Sequence, residues 1–294
     1  MRALGRMVGM MILARSLGNP WPVPRYNIAM PNPSFVHLRL HSEYSIADGT
    51  VRVDDAVKAA AADGQGALAL TDLSNTFGLI KFYQQARSSG VKPIAGCDVW
   101  ITNPLDRERP SRLLLLVSNH RGYLNLCELL SRAWLTNQYR GRSEVHADWL
   151  EGGLAEGLLA LSGAHMGDIG LSLIAGNVEQ AKQHALRWAA IFPQRFYIEV
   201  QRIEQAGNEA CLQQAVALAA ETGLPVVATH PIQFLTPDDF TAHEARVCIS
   251  EGDMLANPRR SKKFTPDQYF RSQQDMAVLF ADLPVALANT IEIA

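Results

Sequence analysis

The chain has 294 residues, of which 48% are hydrophobic and 19% charged. This length allows either two domains or one large α/β barrel, and the composition excludes a disordered or collagen-like chain. Lys and Arg total 27 against 29 Asp and Glu, a formal net charge of −2, so no overall positive field attracts nucleic acid and any such contact must be local.

The beginning of the chain differs from the rest. Residues 7–14 form an apolar run after two arginines, as in a signal peptide, but the run is too short to span a bilayer and is stopped by Arg15. Five prolines follow between Pro20 and Pro33. We predict that residues 1–33 form a loosely ordered extension, with translation upstream of a true start at Met30 as one explanation.

Cysteine usage indicates the compartment. The four cysteines are Cys97, Cys127, Cys211 and Cys248. They show no Cys-x-x-Cys spacing, which argues against a zinc ribbon and against a small disulfide framework. We therefore predict a reduced, cytoplasmic protein with no membrane partner.

From residue 35, short β-rich runs alternate with amphipathic stretches, which is the pattern of an α/β protein. The seven predicted strands cover residues 35–40, 67–71, 93–101, 113–117, 158–162, 196–200 and 225–229. Helices with readable ends are predicted over 54–63, 79–88, 178–190 and 210–222. The apolar run 113–117 is typical of a parallel strand buried on both faces. A closed barrel and a doubly wound sheet both fit residues 34–235, and residues 236–294 are predicted to be mostly helical.

Polar side chains cluster where the predicted strands end. These side chains include His41, Asp48, Asp72, Asp98, His165 and His230. In parallel α/β architectures this edge carries the chemistry. Histidines and carboxylates that converge on one barrel mouth suit a metal-dependent phosphoesterase, because clustered divalent ions hold phosphate and activate water. A single His or Asp at a strand end is more often a structural hydrogen-bonding residue.

Several motifs occur in a fixed order along the chain. They include His37-Leu-Arg-Leu-His41 with Asp48-Gly49, Ala69-Leu-Thr-Asp72, Lys92-Pro-Ile-Ala-Gly-Cys97, Leu161-Ser-Gly163 and Val227-Ala-Thr229. Through these motifs the chain, from about residue 35 to residue 294, resembles the polymerase and histidinol phosphatase (PHP) domain family in the form found in bacterial DNA polymerase III alpha subunits. The resemblance implies an α/β fold with a seven-stranded β/α barrel, TIM-like and of PHP type, and a helical C-terminal extension.

The resemblance also implies a metal site, because a ring of His and acidic side chains holds up to three metal ions in the metal-binding members. Ligands of that ring match His41, Asp48 and Asp72, and a Glu ligand matches the shorter Asp98. Six other ligand positions hold residues that cannot replace the family's ligands: Arg39, Leu73, Arg112, Ala164, Pro231 and Gln233.

Two of these six substitutions introduce a positive charge. A guanidinium is always protonated and competes with a divalent ion for the same carboxylates. We therefore expect a vestigial metal site with no catalytic residue and no tightly bound metal, in which Arg39 and Arg112 replace the metal's charge. Arg39 is expected within salt-bridge distance of Asp72, Asp98 or both. The alternative is residual binding of zinc or manganese.

The family resemblance implies a place in DNA replication. The parent protein would be a DNA-directed DNA polymerase, a nucleotidyltransferase that uses magnesium, but the chain has no Asp-x-Asp pair of the kind that holds magnesium in a polymerase palm. We therefore expect a structural and protein-binding module, with the epsilon proofreading exonuclease and the rest of the polymerase III core as partners. The alternative is a surviving metal-dependent phosphoesterase, either a pyrophosphatase or a 3′ exonuclease.

One dense basic run occurs near the end of the chain. It consists of Arg259, Arg260, Lys262 and Lys263. Such runs are usually solvated loops. The functional interpretation is contact with the phosphate backbone of DNA near the primer-template.

Overall fold

The structure is a computed structural model that describes residues 34–205, 207–257, 259–260 and 262–294. The predicted extension over residues 1–33 lies outside the described residues. The strands are β1 (Ala67–Leu70), β2 (Lys92–Ile101), β3 (Ser111–Val117), β4 (Gln138–Tyr139), β5 (Arg142–Val145), β6 (Leu158–Leu161), β7 (Phe196–Val200) and β8 (Val226–Ala228). The helices are α1 (Val53–Ala62), α2 (Leu79–Ser88), α3 (His120–Thr136), α4 (Ala147–Trp149), α5 (Asp168–Ile174), α6 (Val178–Ile191), α7 (Asn208–Thr222), α8 (Phe240–Glu251), α9 (Gln273–Leu279) and α10 (Pro284–Ile293). Within the described residues, none of these helices is long and apolar enough to cross a membrane.

The strands of the described residues form one mixed sheet in the order β4-β5-β2-β3-β6-β7-β8, with β1 also paired to β2. Strand β3 runs antiparallel to both of its neighbours, β2 and β6, so the prediction of a parallel strand over 113–117 is wrong. The reason is the short connection from β2 to β3 over residues 102–110, because parallel neighbours need a crossover of about a dozen residues or more.

The apolar run of β3 is explained by burial on both of its faces. Leu114 and Leu116 belong to a cluster inside the ring of strands. Leu113 and Leu115 belong to the main core between the strands and the helices. The run therefore indicates a two-sided buried strand without indicating its direction.

The first predicted strand, 35–40, is an extended segment with only partly regular pairing. The backbone N–H of Ala69 donates to the carbonyl of His37 at 2.9 Å, and the N–H of His41 donates to the carbonyl of Ile232 at 3.0 Å. The segment thus links β1 to the chain that follows β8. With β1, β2, β3, β6, β7 and β8 it closes a ring of seven, and the mixed α/β, barrel-like fold is confirmed. The sequence analysis did not predict the β4–β5 hairpin.

The helices follow the predicted apolar periodicity. Helix α2 has the predicted bounds and buries Leu79, Phe82 and Ala86 at helical spacing. Helix α6 extends one residue further than predicted, and Asn177 caps it by accepting a hydrogen bond from the N–H of Gln180 at 3.1 Å. Apolar spacing and capping residues therefore predict the bounds of these two helices to within one residue.

The final part of the chain contains α8, α9 and α10, as the predicted helical extension requires. Helix α10 covers the end of the ring where the strands begin: the N–H of Val36 donates to Thr290 Oγ1 at 3.1 Å, and Asn289 Nδ2 donates to the carbonyl of Val226 at 2.6 Å. The connection between α8 and α9 reaches the other end of the ring, where Lys262 and Lys263 lie. That end carries the polar residues of the predicted site.

Candidate functional site

A cleft of about 600 Å³, here called the mouth cleft, opens where the parallel strands of the ring end and the antiparallel strand β3 begins. Five of the residues predicted from the sequence line it: Arg39, His41, Asp48, Asp98 and Arg112. The inward faces of the strands are apolar deeper in the ring and become charged at this end. On β2, for example, Ile94 and Asp98 share one face because side chains alternate along a strand.

Asp98 is the centre of the site. Its Oδ2 atom contacts Arg39 Nη1, and it lies 2.9 Å from Arg112 Nη1 and 3.2 Å from His41 Nε2. All four side chains are buried. Burial alone would raise the pKa of Asp98, but the two guanidinium groups and His41 outweigh it and hold that pKa well below its usual range. Asp98 is therefore an anion whose Oδ2 atom is shared by three internal partners.

Arg39 has a second carboxylate partner, Glu199 on β7, which the sequence analysis missed. The contact is bidentate, with Arg39 Nε 2.9 Å from Glu199 Oε1 and Arg39 Nη2 3.1 Å from Oε2. Glu199 also accepts hydrogen bonds from the Gly163 N–H at 3.0 Å and from Thr229 Oγ1 at 2.5 Å. A sequence signal existed, because Glu199 is the one charged residue in the buried strand Phe196–Val200.

The predicted salt bridge of Arg39 with Asp98 is present, and its second partner is Glu199 instead of Asp72. Burial disfavours a charged guanidinium, yet Asp98 and Glu199 together raise the pKa of Arg39 further above its ordinary value. Arg39 is thus a permanent cation held between two strands on opposite sides of the ring.

His41 is also a cation. Its Nδ1 lies 2.5 Å from Asp48 Oδ2, and its Nε2 faces Asp98. Burial alone would lower the pKa of His41, but the hydrogen bonds and charges of the two carboxylates raise it to about 9. A cationic imidazole carries protons on both ring nitrogens, so a metal ion would have to displace a proton to bind His41.

Asp72 plays a different role from Asp98. Its Oδ1 accepts hydrogen bonds from the Ser42 N–H at 2.7 Å, from Ser42 Oγ at 2.9 Å and from Ser45 Oγ at 2.7 Å. Burial raises the pKa of Asp72, and these hydrogen bonds together with His41 oppose that shift only in part. Asp72 therefore fixes the turn at Glu43–Ser45 and is not shared with the arginine pair.

The remaining positions matched by the resemblance add no ligand. Leu73, Pro231 and Gln233 line the mouth cleft, and Ala164 is buried beside it. His165 borders the cleft, and burial lowers its pKa. Among the described residues, no group of three or more His, Cys, Asp or Glu side chains is arranged to hold a metal ion.

Three carboxylates and three cations pair with one another at the mouth. The anions are Asp48, Asp98 and Glu199, and the cations are Arg39, His41 and Arg112. A divalent ion would have to displace these cations from the carboxylates that it needs. The residues present therefore do not fit the family's metal ions. Chemically, this arrangement links β2, β3 and β7 through charge-assisted hydrogen bonds.

The four residues of the basic run differ in exposure and in pairing. Arg260 is buried against the carboxylate of Glu244, and Lys263 Nζ lies 2.5 Å from Glu251 Oε1. Arg259 and Lys262 are exposed. Contact of this run with nucleic acid stays a prediction, and Arg259 and Lys262 are its best candidates.

Comparison with known proteins gives consistent results. A family model described as the PHP domain matches residues 37–203. The chain is 49% identical over 267 residues to DNA polymerase III subunit alpha of Neisseria meningitidis, and this alignment covers 90% of this chain and 23% of that protein. The same subunit of Escherichia coli K12 is 43% identical over 265 residues, again 90% and 23%. The chain thus spans about a quarter of the length of these relatives.

Among solved structures, an amidohydrolase from Chromobacterium violaceum with bound sulfate and no metal aligns with a TM-score of 0.45 and 16% identity, covering 72% of this chain and 96% of that one. A two-domain protein from Bacteroides vulgatus, described as containing a predicted PHP-like metal-dependent phosphoesterase, aligns with a TM-score of 0.44 and 14% identity, covering 92% of this chain and 68% of that one. On the family match over residues 37–203, this chain belongs to the PHP domain family.

Proposed function

We propose that the chain is the PHP region of a replicative DNA polymerase III alpha subunit, and that it acts there as a structural and protein-binding module with a vestigial metal site. The observation that carries the second part is the shared oxygen of Asp98, which both Arg39 and Arg112 contact. The identity to alpha subunits over about nine-tenths of the chain supports the first part.

The vestigial site is proposed on electrostatic grounds. The resemblance matches both Arg39 and Arg112 to ligand positions of the metal-binding family members. Each guanidinium supplies one permanent positive charge to carboxylates that are buried and need a counter-charge. The pair therefore does the electrostatic work of a metal ion without its Lewis acidity or its bound water.

The partners follow from the parent enzyme. We propose that the module docks the epsilon proofreading exonuclease and braces the rest of the polymerase III core in the cytoplasm. Magnesium-dependent nucleotide transfer to DNA belongs to other parts of such a polymerase. Arg259 and Lys262 are the proposed DNA contacts of this chain because both are exposed.

Metal content and hydrolysis test the vestigial site. Elemental analysis of the purified chain should find far less than one tightly bound zinc or manganese per molecule, and the chain should not hydrolyse pyrophosphate or nucleotide esters. The double substitution Arg39→His and Arg112→His should bring a rise in Tm on addition of zinc, because a ligand that binds only the folded state stabilises it. Two or more stoichiometric metals in the unaltered chain would instead favour the phosphoesterase.

A second variant separates binding of the epsilon subunit from hydrolysis. His41→Ala with Asp72→Ala should leave association with purified epsilon subunit unchanged, provided that circular dichroism shows a folded chain. A folded variant that binds epsilon but loses a measurable hydrolytic activity would show that the mouth cleft is catalytic.

A further inference from the structure

Beside the mouth cleft lies a second opening of about 810 Å³, here called the side groove. It is bounded by the turn at Glu43–Ser45, the loop after β1, the end of α3 and the β4–β5 hairpin. The paired charges of the mouth cleft do not explain what the side groove does.

The rim of the side groove exposes large apolar side chains. Ile46 is 65% exposed, Phe77 is 70% exposed and Leu135 is 83% exposed, and all three line the same opening. Single exposed apolar residues are ordinary, but several around one concave surface mark an interaction site.

Backbone strain is concentrated at the same place. Five non-glycine residues of the described chain have positive φ, and three of them line the side groove: Ile46 at 59°, Ser74 at 55° and Arg140 at 50°. A β-branched residue rarely adopts this conformation, and such strain persists where the surrounding structure enforces it. Buried acceptors hold the first two positions, because Ser45 Oγ donates to the Asp72 carboxylate and the Ser74 N–H donates to the backbone carbonyl of Asp98 at 2.8 Å. Arg140 and Gly141 form the two-residue turn of the β4–β5 hairpin, where positive φ is the usual conformation.

The groove is also preformed. Trp134 Nε1 on α3 donates to the carbonyl of Ser74 at 2.8 Å, which joins the two long walls of the opening. A surface that is already ordered loses little conformational entropy when a ligand binds.

The charges of the lining select the kind of ligand. Among the described residues, Arg140 and Arg142 line the side groove and no Asp or Glu does. Arg140 is the cation open to a ligand's carboxylate, because its side chain is 71% exposed and its pair with Glu108 lies at the surface. Arg142 is held by the buried carboxylate of Glu144. Single-stranded nucleic acid fits less well, because its backbone needs a row of cations and, among the described lining residues, only Arg140 is open to a phosphate.

We propose that the side groove binds a peptide segment of a partner protein, with large apolar side chains against Ile46, Phe77 and Leu135 and a carboxylate towards Arg140. This inference goes beyond the proposed function, since it assigns a surface and a ligand chemistry whether or not the chain binds an exonuclease subunit.

The test is selection of a random peptide library, displayed on phage, against the immobilised full chain. Enriched peptides should combine aromatic or leucine side chains with Asp or Glu. In fluorescence polarisation, Leu135→Arg should weaken their binding by about tenfold or more, the effect of losing a central apolar contact. Leu105→Arg is the matched control, because Leu105 is 94% exposed and lies outside the groove.

A charge exchange tests the carboxylate. Arg140→Glu should weaken binding of an enriched acidic peptide, and a peptide with Lys in place of its Asp or Glu should restore it. Enriched peptides without apolar and acidic residues, or equal affinity for the chain and for Leu135→Arg, would overturn the proposal. So would an oligothymidine that binds the chain and is lost from Leu135→Arg, which would assign the groove to nucleic acid.

Discussion

Trp100 lines both the mouth cleft and the side groove. The Cζ atom of Arg112, in the mouth, lies 3.8 Å from the centroid of the Trp100 ring, and the Cζ atom of Arg142, in the groove, lies 5.3 Å from it. On the mouth side, the charged groups are buried and paired with one another. On the groove side, apolar side chains are exposed and the backbone is strained. The difference is one of use: the charged side chains of the mouth contact one another, whereas the apolar side chains at the rim of the groove face solvent.

The largest effect should come from removing the anion at the centre of the mouth. Asp98→Asn leaves two buried guanidinium groups without their shared partner, and we expect the free energy of unfolding to fall by about 3–5 kcal/mol. Urea denaturation measures this change. Asp54→Asn is the control, because Asp54 pairs with Lys81 at the surface and its loss should cost less than about 1 kcal/mol. Equal effects of the two variants would mean that the mouth is not a buried charge cluster.

A second effect concerns a histidine outside the mouth cleft. Burial lowers the pKa of His37 to about 4, and the hydrogen bond of its Nε2 with the Arg271 carbonyl at 2.7 Å offsets this only in part. The folded state therefore keeps His37 neutral, whereas the unfolded chain takes up a proton at about pH 6.5. Stability from this group is complete above pH 6.5, decreases as the pH falls towards 4 and amounts to about 3 kcal/mol.

The part of the acid loss that His37 causes should disappear in His37→Gln, which keeps a donor for the Arg271 carbonyl but cannot titrate, while buried His230, whose pKa is also lowered, keeps its own contribution. Unfolding free energies measured between pH 4 and 7 compare the variant with the unaltered chain. The exposed His120 supplies the control, and His120→Gln should follow the unaltered chain. An unchanged slope in His37→Gln would locate the acid sensitivity elsewhere.

A third effect measures how strongly the mouth is coupled. Arg39→Met and Glu199→Gln should each destabilise the chain, and the double variant should be less unstable than the sum of the two. The expected coupling energy is about 1–3 kcal/mol because the two side chains form one bidentate contact. Additive losses would show that Arg39 depends on Asp98 alone.

The sequence predicted much of this fold because its signals are local. Helix α2 follows from apolar residues at helical spacing, and the strand positions follow from short apolar runs. The direction of β3 could not be read in this way, because a run buried on both faces looks the same in either direction. Only the length of the β2–β3 connection carried that information.

The sequence predicted one part of the site and missed another. Arg39, His41, Asp48, Asp98 and Arg112 meet as the resemblance implied. Glu199 was missed, since it lies inside the predicted strand 196–200 and not after its end, and its partner lies 160 residues away in the chain. The side groove was missed because it is formed by four separate segments, and no periodicity along the chain reports a surface of that kind.

The smallest expected effect sharpens the contrast between the two regions most directly. Ile46→Gly removes a β-branched residue from positive φ and gives up little packing, since the side chain is mostly exposed. We therefore expect the free energy of unfolding to stay level or rise by about 1 kcal/mol, while binding of the selected peptides weakens. Ile46→Ala trims the side chain and keeps the strain, so it should weaken peptide binding without the gain in stability. If Ile46→Gly destabilises the chain as a mouth variant does, Ile46 supports the fold, and the strain at the side groove is no sign of a binding surface.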